Sequence, residues 1–189
     1  MTAAPGRRTL RASPPWPGRD ELGALARQGN LIPVCREILA DLETPVSAFL
    51  KVHRGPYGFL LESVEGGEKW GRYSFLGTEP ARIVRTRGRR VEIETPGTAA
   101  VAYEADDPLD ALRSLLAEYR PVTVPGLPRF AGGAVGHVGY DMVRNFERLP
   151  ALAADDLELP EACLMIAQSL LVFDSLAQKI KVVSHVHLR

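Results

Sequence analysis

The sequence is poor in the features that most readily announce a function. Its two cysteines, Cys35 and Cys163, lie far apart with no Cys-x-x-Cys or Cys/His spacing. That excludes a zinc ribbon, a redox dithiol and a disulfide scaffold, and both read as buried thiols of a reducing cytoplasm. Net charge is absent too: Lys+Arg and Asp+Glu are 23 each, so the electrostatics call for neither nucleic acid nor an anionic membrane as partner. No apolar run approaches the ~20 residues of a bilayer span. Arg7, Arg8 and Arg11 are followed by no uninterrupted apolar segment of a secretory signal. There is no internal repeat, no acidic pair with metal spacing, and no Ser/His/Asp or Cys/His constellation. A soluble, cytoplasmic chain with no catalytic centre in these residues is the expectation.

What is present is a core. Apolar residues make up 46% and charged residues 24% of 189, enough for one globular domain or slightly more. Residues 1–18, with Pro5, Pro14, Pro15 and Pro17, read as a disordered lead-in, and 19–189 as the folded domain. A helix is expected from Arg19, with Asp20 as cap, Leu22 and Leu25 on one face and Gly29-Asn30 as stop. A second should start at Pro33, bury Val34, Ile38, Leu39 and Leu42, and end at Pro45. Val46, Ala48, Leu50 and Val52 then alternate with Ser47, Phe49 and Lys51 as in a strand. Two hairpins follow, Phe59–Val64 with Arg72–Leu76, and Ala81–Thr86 with Arg90–Glu94 around Arg87-Gly88-Arg89. In the second, Arg82 and Arg85 fall on opposite faces among Glu92 and Glu94, a solvated surface rather than an anion site.

Asp107-Pro108 opens a helix whose Leu109, Leu112, Leu115, Leu116 and Tyr119 face a sheet. Pro121–Arg129 is an extended linker. Gly132, Gly133, Gly136 and Gly139 do not satisfy the dinucleotide spacing; they let a strand run close beside another element, before a short helix from Tyr140-Asp141. Leu164–Phe173 and Lys179–His187 read as two long strands. His185 and His187 share a face, but without a third ligand no metal is expected. The whole is an α+β chain of mostly antiparallel sheets with external helices.

The stretch GFLLESVEGGEKWGRYSFLG, Gly58–Gly77, carries the clearest functional pattern. Glu62 and Ser63 sit at a strand end opposite the aromatic residues Tyr73 and Phe75, a polar notch on an apolar floor suited to an aromatic amino acid. An ordinary hairpin with an exposed acid has the same pattern. Strict alternation puts Phe59, Leu61 and Ser63 on one face and Leu60, Glu62 and Val64 on the other. Glu62 and Ser63 therefore share a pocket only if a bulge or the strand end turns the backbone.

Together with TPVSAFLK (Thr44–Lys51) and GGAVGHVGYD (Gly132–Asp141), this stretch resembles the N-terminal region of anthranilate synthase component I, from about Asn30 to the C-terminus. The resemblance implies a layered αββα sandwich completed by a C-terminal chorismate-binding module downstream of this segment. It implies conversion of chorismate to anthranilate with Mg²⁺ and with ammonia from a glutamine amidotransferase component II. The catalytic residues and the Mg²⁺ site would lie in the downstream module, so the 189-residue segment alone is expected to be inactive. It further implies that the LLES segment belongs to a tryptophan feedback site. Leu61 and Tyr73 would contact the indole, Glu62 and Ser63 would meet the polar end, Ser74 would complete the wall, and Lys69 is a lesser candidate for the carboxylate. Component I of aminodeoxychorismate synthase and a stand-alone or inert amino-acid-binding module are the alternative readings.

Overall fold

The computed structural model describes residues 12–62, 64–65, 69–150 and 155–188, and of 64–65 and 69–70 the backbone alone. In chain order, helix α1 (Arg19–Leu25) leads to strand β1 (Leu31–Leu39), helix α2 (Pro45–Val52) and strand β2 (Gly58–Leu61). A two-stranded flap, β3 (Val64–Glu65) with β4 (Lys69–Trp70), precedes β5 (Tyr73–Thr78), β6 (Arg82–Arg87), β7 (Arg90–Glu94) and β8 (Val101–Glu104). Helix α3 (Pro108–Ala117), β9 (Gly133–Val138), a 3-10 turn (Tyr140–Asn145), β10 (Ala162–Ala167), β11 (Ser169–Asp174) and β12 (Lys179–His187) complete it.

The strands form two five-stranded antiparallel sheets, ordered β1-β12-β11-β5-β2 and β8-β7-β6-β10-β9. Helix α2 lays Ala48 on Leu76, Phe173 and Ile180 of the first sheet; α3 lays Leu115 on Val84, Val91 and Ile166 of the second. The other faces approach each other at Phe59 and Met165, which line one small cavity with Gly77 and Ala167. Each sheet thus carries a helix on one face, and the centre of the first sheet's other face is covered by Trp16, Leu127 and Phe130; two antiparallel sheets with few helices are the α+β class expected.

Two early elements exchange types. The helix expected from Pro33 is strand β1, paired with β12 from Leu31↔His187 to Leu39↔Lys179. Ile32 and Cys35 are each 1% exposed and Pro33 is buried beside them. Both faces of the strand start are therefore covered, which erases the period of two that marks a half-buried strand. Pro33 is tolerated because β1 is a sheet-edge strand, where a missing N–H costs no ladder bond. The strand expected from Val46 is helix α2. Thr44 accepts from the Ser47 amide, the Ser47 hydroxyl accepts from the Thr44 amide, and Pro45 takes the first helical position. Its inward residues, Pro45, Ala48, Phe49 and Val52, follow 3.6-residue spacing, whereas Val46 and Leu50 point to solvent.

Three further points depart from or refine expectation. The cap of α1 is Gly18, not Asp20; its amide donates to Glu21. The long strand expected over Leu164–Phe173 is two strands in different sheets, broken at Gln168. Of the lead-in 1–18, residues 1–11 lie outside the described residues, but Ser13 and Trp16 are fixed on β1: the Ser13 amide donates to the Glu37 carbonyl, and Trp16 and Cys35 exchange both backbone bonds. The glycine-dense segment behaves as read. A Cβ on Gly136 would stand 1.9 Å from the Cys163 carbonyl oxygen, so only glycine lets β9 approach β10 this closely.

Candidate functional site

The inner face of the first sheet is read off its registers. Leu61 pairs with Phe75, Phe75 with Val172, Val172 with Lys181 and Lys181 with Glu37. Directly paired residues share a face, and so do residues two apart. Tyr73 and Asp174 on one side, and Cys35, Leu170 and Val183 on the other, therefore lie on the same surface. Tyr73, Phe75, Leu127, Phe130 and Trp16 pack on its buried centre, Cys35, Leu170, Val172 and Val183. Phe130 meets Phe75 edge to face, ring centroids 5.1 Å apart at 86°, and Tyr73 lies 6.1 Å from Phe75. The result is an aromatic floor whose margin, at Leu61 and Tyr73, remains partly open.

Charge is placed at two points of this face. Arg72 forks onto Asp174 with Nε–Oδ1 3.1 Å and Nη2–Oδ2 2.9 Å, and its guanidinium lies 4.8 Å above the Tyr73 ring centroid. Asp174 is 3% exposed; Arg72, helped by the Ala177 amide, holds its carboxyl below the ordinary carboxylate range against the opposing effect of burial. Farther along, Glu37 binds Lys179 at 2.8 Å and also Lys181, and both lysines lower the Glu37 pKa. Lys181 lies 5.6 Å from the Trp16 ring centroid, and the Trp16 indole N–H donates to the Pro125 carbonyl at 3.4 Å. Burial pushes the neighbouring Cys35 thiol up to about 11, so it is an inert packing group.

The expected site residues are only partly assembled. Leu61 and Tyr73 share the inner face. Ser74 does not join them: it is buried opposite Phe173, on the α2 side with Leu76, because adjacent strand residues point to opposite faces. Glu62 is exposed just beyond the end of β2. Ser63 lies outside the described residues, and Lys69, in β4 opposite Glu65, is described only in its backbone. Arg72, Asp174 and Phe130 were not foreseen. A basic residue directly before an aromatic strand start, and an aspartate ending an otherwise apolar strand, were the available signals.

Elsewhere, a cavity of about 1010 Å³ at the junction of the sheets is lined by Pro80, Tyr119, Leu127, Gln168, His185 and His187 among others. The histidines are engaged in packing there. His185 Nδ1 donates to the Gln168 carbonyl at 2.8 Å, and the His187 ring lies 5.0 Å from that of Tyr119. Burial lowers the His185 pKa, which keeps the ring neutral. Among the described residues no three His, Cys, Asp or Glu side chains are placed to hold a metal ion, and no helix is long and apolar enough to cross a membrane.

No family model matches the chain. Among curated proteins it is 40% identical over 172 residues to the anthranilate synthase component 1 of Acetivibrio thermocellus, which spans 91% of this chain and 35% of that protein. It is 44% identical over 165 residues to the component 1 of Pseudomonas aeruginosa, spanning 86% of this chain and 34% of the relative. Among solved structures, anthranilate synthase component I from Streptococcus pneumoniae TIGR4 superposes with a TM-score of 0.51 and 26% identity, over 78% of this chain and 31% of that one. The chain thus spans about a third of the length of the relatives it matches. In sequence over nearly its whole length, and in fold, it is a homologue of the N-terminal region of anthranilate synthase component I.

Proposed function

We propose that this chain is the regulatory and scaffolding N-terminal part of an anthranilate synthase component I, a lyase that forms anthranilate from chorismate in tryptophan biosynthesis. The observation that carries this reading is the 40–44% identity to curated component 1 proteins across most of the chain. In this reading chorismate, Mg²⁺ and the ammonia supplied by a glutamine amidotransferase component II are handled by the remaining two thirds of the polypeptide, and the present segment alone does not turn over. Its own task is to bind L-tryptophan. The inner-face floor supports that role: Leu61 and Tyr73 offer apolar contact to an indole, backed by Phe75 and Phe130, while Glu62, Ser63 and Lys69 are the polar groups proposed for the amino-acid end.

The test is a complete component 1 chain in which residues 12–188 replace the matching segment of the Pseudomonas aeruginosa relative. Followed by anthranilate fluorescence with chorismate, Mg²⁺ and ammonium, it is expected to turn over and to be inhibited by tryptophan. Ser63→Ala in that chain should raise the tryptophan inhibition constant about tenfold or more, a hydrogen bond to a charged group contributing roughly 1.5–3 kcal/mol. A chimera that melts cooperatively yet makes no anthranilate sinks the enzymatic assignment. An unshifted inhibition curve in a folded Ser63→Ala chain removes that residue from the site.

A further inference from the structure

Strand β1 is the outermost strand of the first sheet, so one side of its backbone has no ladder to enter. Ile32, Val34, Arg36 and Ile38 turn their backbone groups toward β12, while Leu31, Pro33, Cys35 and Glu37 turn theirs outward, the direction fixed by the bonds of Cys35 to Trp16. Those outward groups are nearly all taken. The Leu31 amide donates to the Arg120 carbonyl at 3.2 Å, the Leu31 carbonyl accepts from the Val122 amide at 2.9 Å, and Pro33 has no amide to offer. Cys35 exchanges bonds of 2.7 and 2.9 Å with Trp16. Glu37 accepts the Ser13 amide at its carbonyl, and its own amide donates to the Ser13 hydroxyl at 2.8 Å.

The arm that closes this edge is itself unable to extend the sheet. From Ser13 to Gly18, Pro14, Pro15 and Pro17 have no N–H, and the other three amides are already bound: Ser13 to Glu37, Trp16 to Cys35 and Gly18 to Glu21. A further strand laid against the arm finds no donor. Trp16 pins it, its ring packed on Cys35, Leu170, Val172 and Val183 and its N–H on the Pro125 carbonyl, with Pro17 buried beside it. Pro14 and Pro15 stand exposed, so their contribution is the missing donors rather than packing. The nearest complement to a bare β1 is another β1: two antiparallel copies about a twofold axis would continue the sheet across both molecules. We propose that residues 13–17 are an edge guard, an intramolecular strap that blocks strand addition at β1 by a second copy of this chain. The role is independent of any ligand on the inner face.

The test compares the 189-residue chain with a version lacking residues 1–17 and with the double variant Pro14→Thr, Pro15→Thr. Single-amide hydrogen exchange is followed by NMR at a concentration where the 189-residue chain is monomeric, and mass by light scattering from that concentration upward. In the shortened chain the Cys35 and Glu37 amides should exchange at least about tenfold faster, while those of Val34 and Arg36, bonded to β12, keep their protection. Its association should begin at about tenfold lower concentration. The threonine pair restores two donors at exposed positions; it should leave the melting temperature and Cys35 protection in place, yet associate at several-fold lower concentration. Fast exchange at Cys35 in the intact chain overturns the seating of the strap, and association curves that neither variant shifts overturn the guard. Should the shortened chain lose protection at Val34 and Arg36, and with it the fold, the threonine pair decides alone.

Discussion

At the scale of single residues, His185 couples this fold to pH. Its Nδ1–H is committed to the Gln168 carbonyl at the point where the chain passes from one sheet to the other. Burial lowers its pKa from the ordinary 6.5, so the unfolded chain binds this proton more readily than the folded one. The stabilisation is complete above about pH 6.5 and is lost as pH falls toward the lowered value. Chemical denaturation between pH 7.5 and 5 should therefore show stability declining on acidification. In His185→Gln, whose amide can still donate to Gln168, that decline should be shallower. An identical slope in the variant would place the pH dependence in other groups.

At the scale of elements, β1 and α2 separate what the sequence makes legible from what it does not. The hairpins β2–β5 and β6–β7, the cap-and-proline start of α3 and the strand β12 were all readable, because each is half-buried and bounded by clear turn residues. Strand β1 was not. Its buried residues Ile32, Pro33 and Cys35 face both ways, and Pro33 imitates a helix start. For α2 the cap pair Thr44 and Ser47 carried the signal, while the alternation of Val46, Ala48 and Leu50 concealed it. The candidate site suffered in the same way. Leu61 and Tyr73 were within reach of a local pattern, but Asp174 lies about 100 residues from Arg72, and only the β5–β11 register brings them together. The helix makes its own prediction. Thr44→Ala should cost about 1 kcal/mol of stability through the lost cap, whereas Leu50→Ser, at a side chain 73% exposed, should stay within about 0.5 kcal/mol. A large loss at Leu50 with none at Thr44 would contradict the helix.

At the scale of the molecule, the two sheets leave apolar side chains uncovered: Val101 and Tyr103 on β8, Val138 on β9, and Val182 and Val186 on β12. Strands β2, β8 and β9 stand at sheet ends. In the proposed reading the rest of the component 1 polypeptide covers much of this surface. The 189-residue chain by itself should accordingly self-associate, since bare strand ends and apolar faces template further pairing. Static light scattering across a concentration series checks this. A monomer that keeps its mass and melts sharply at every concentration would show that these surfaces are sufficient to themselves.

The pairing of β1 with β12 also bears on how the protein is made. The partners are roughly 150 residues apart in sequence, and at the usual pace of synthesis, about 5–20 residues per second, β1 emerges roughly 10–30 s before β12 does. Throughout that interval it lacks β12; among the described residues the Ser13–Trp16 arm, made just before it, and later Arg120–Val122, which bonds Leu31, are able to shield its backbone. The second sheet lacks only β10 once β9 is out, whereas the first sheet waits for the last strand of the segment. A ribosome that stalls before residue 179 therefore carries an unfinished sheet, with Ile32 and Cys35 exposed to chaperones and proteases.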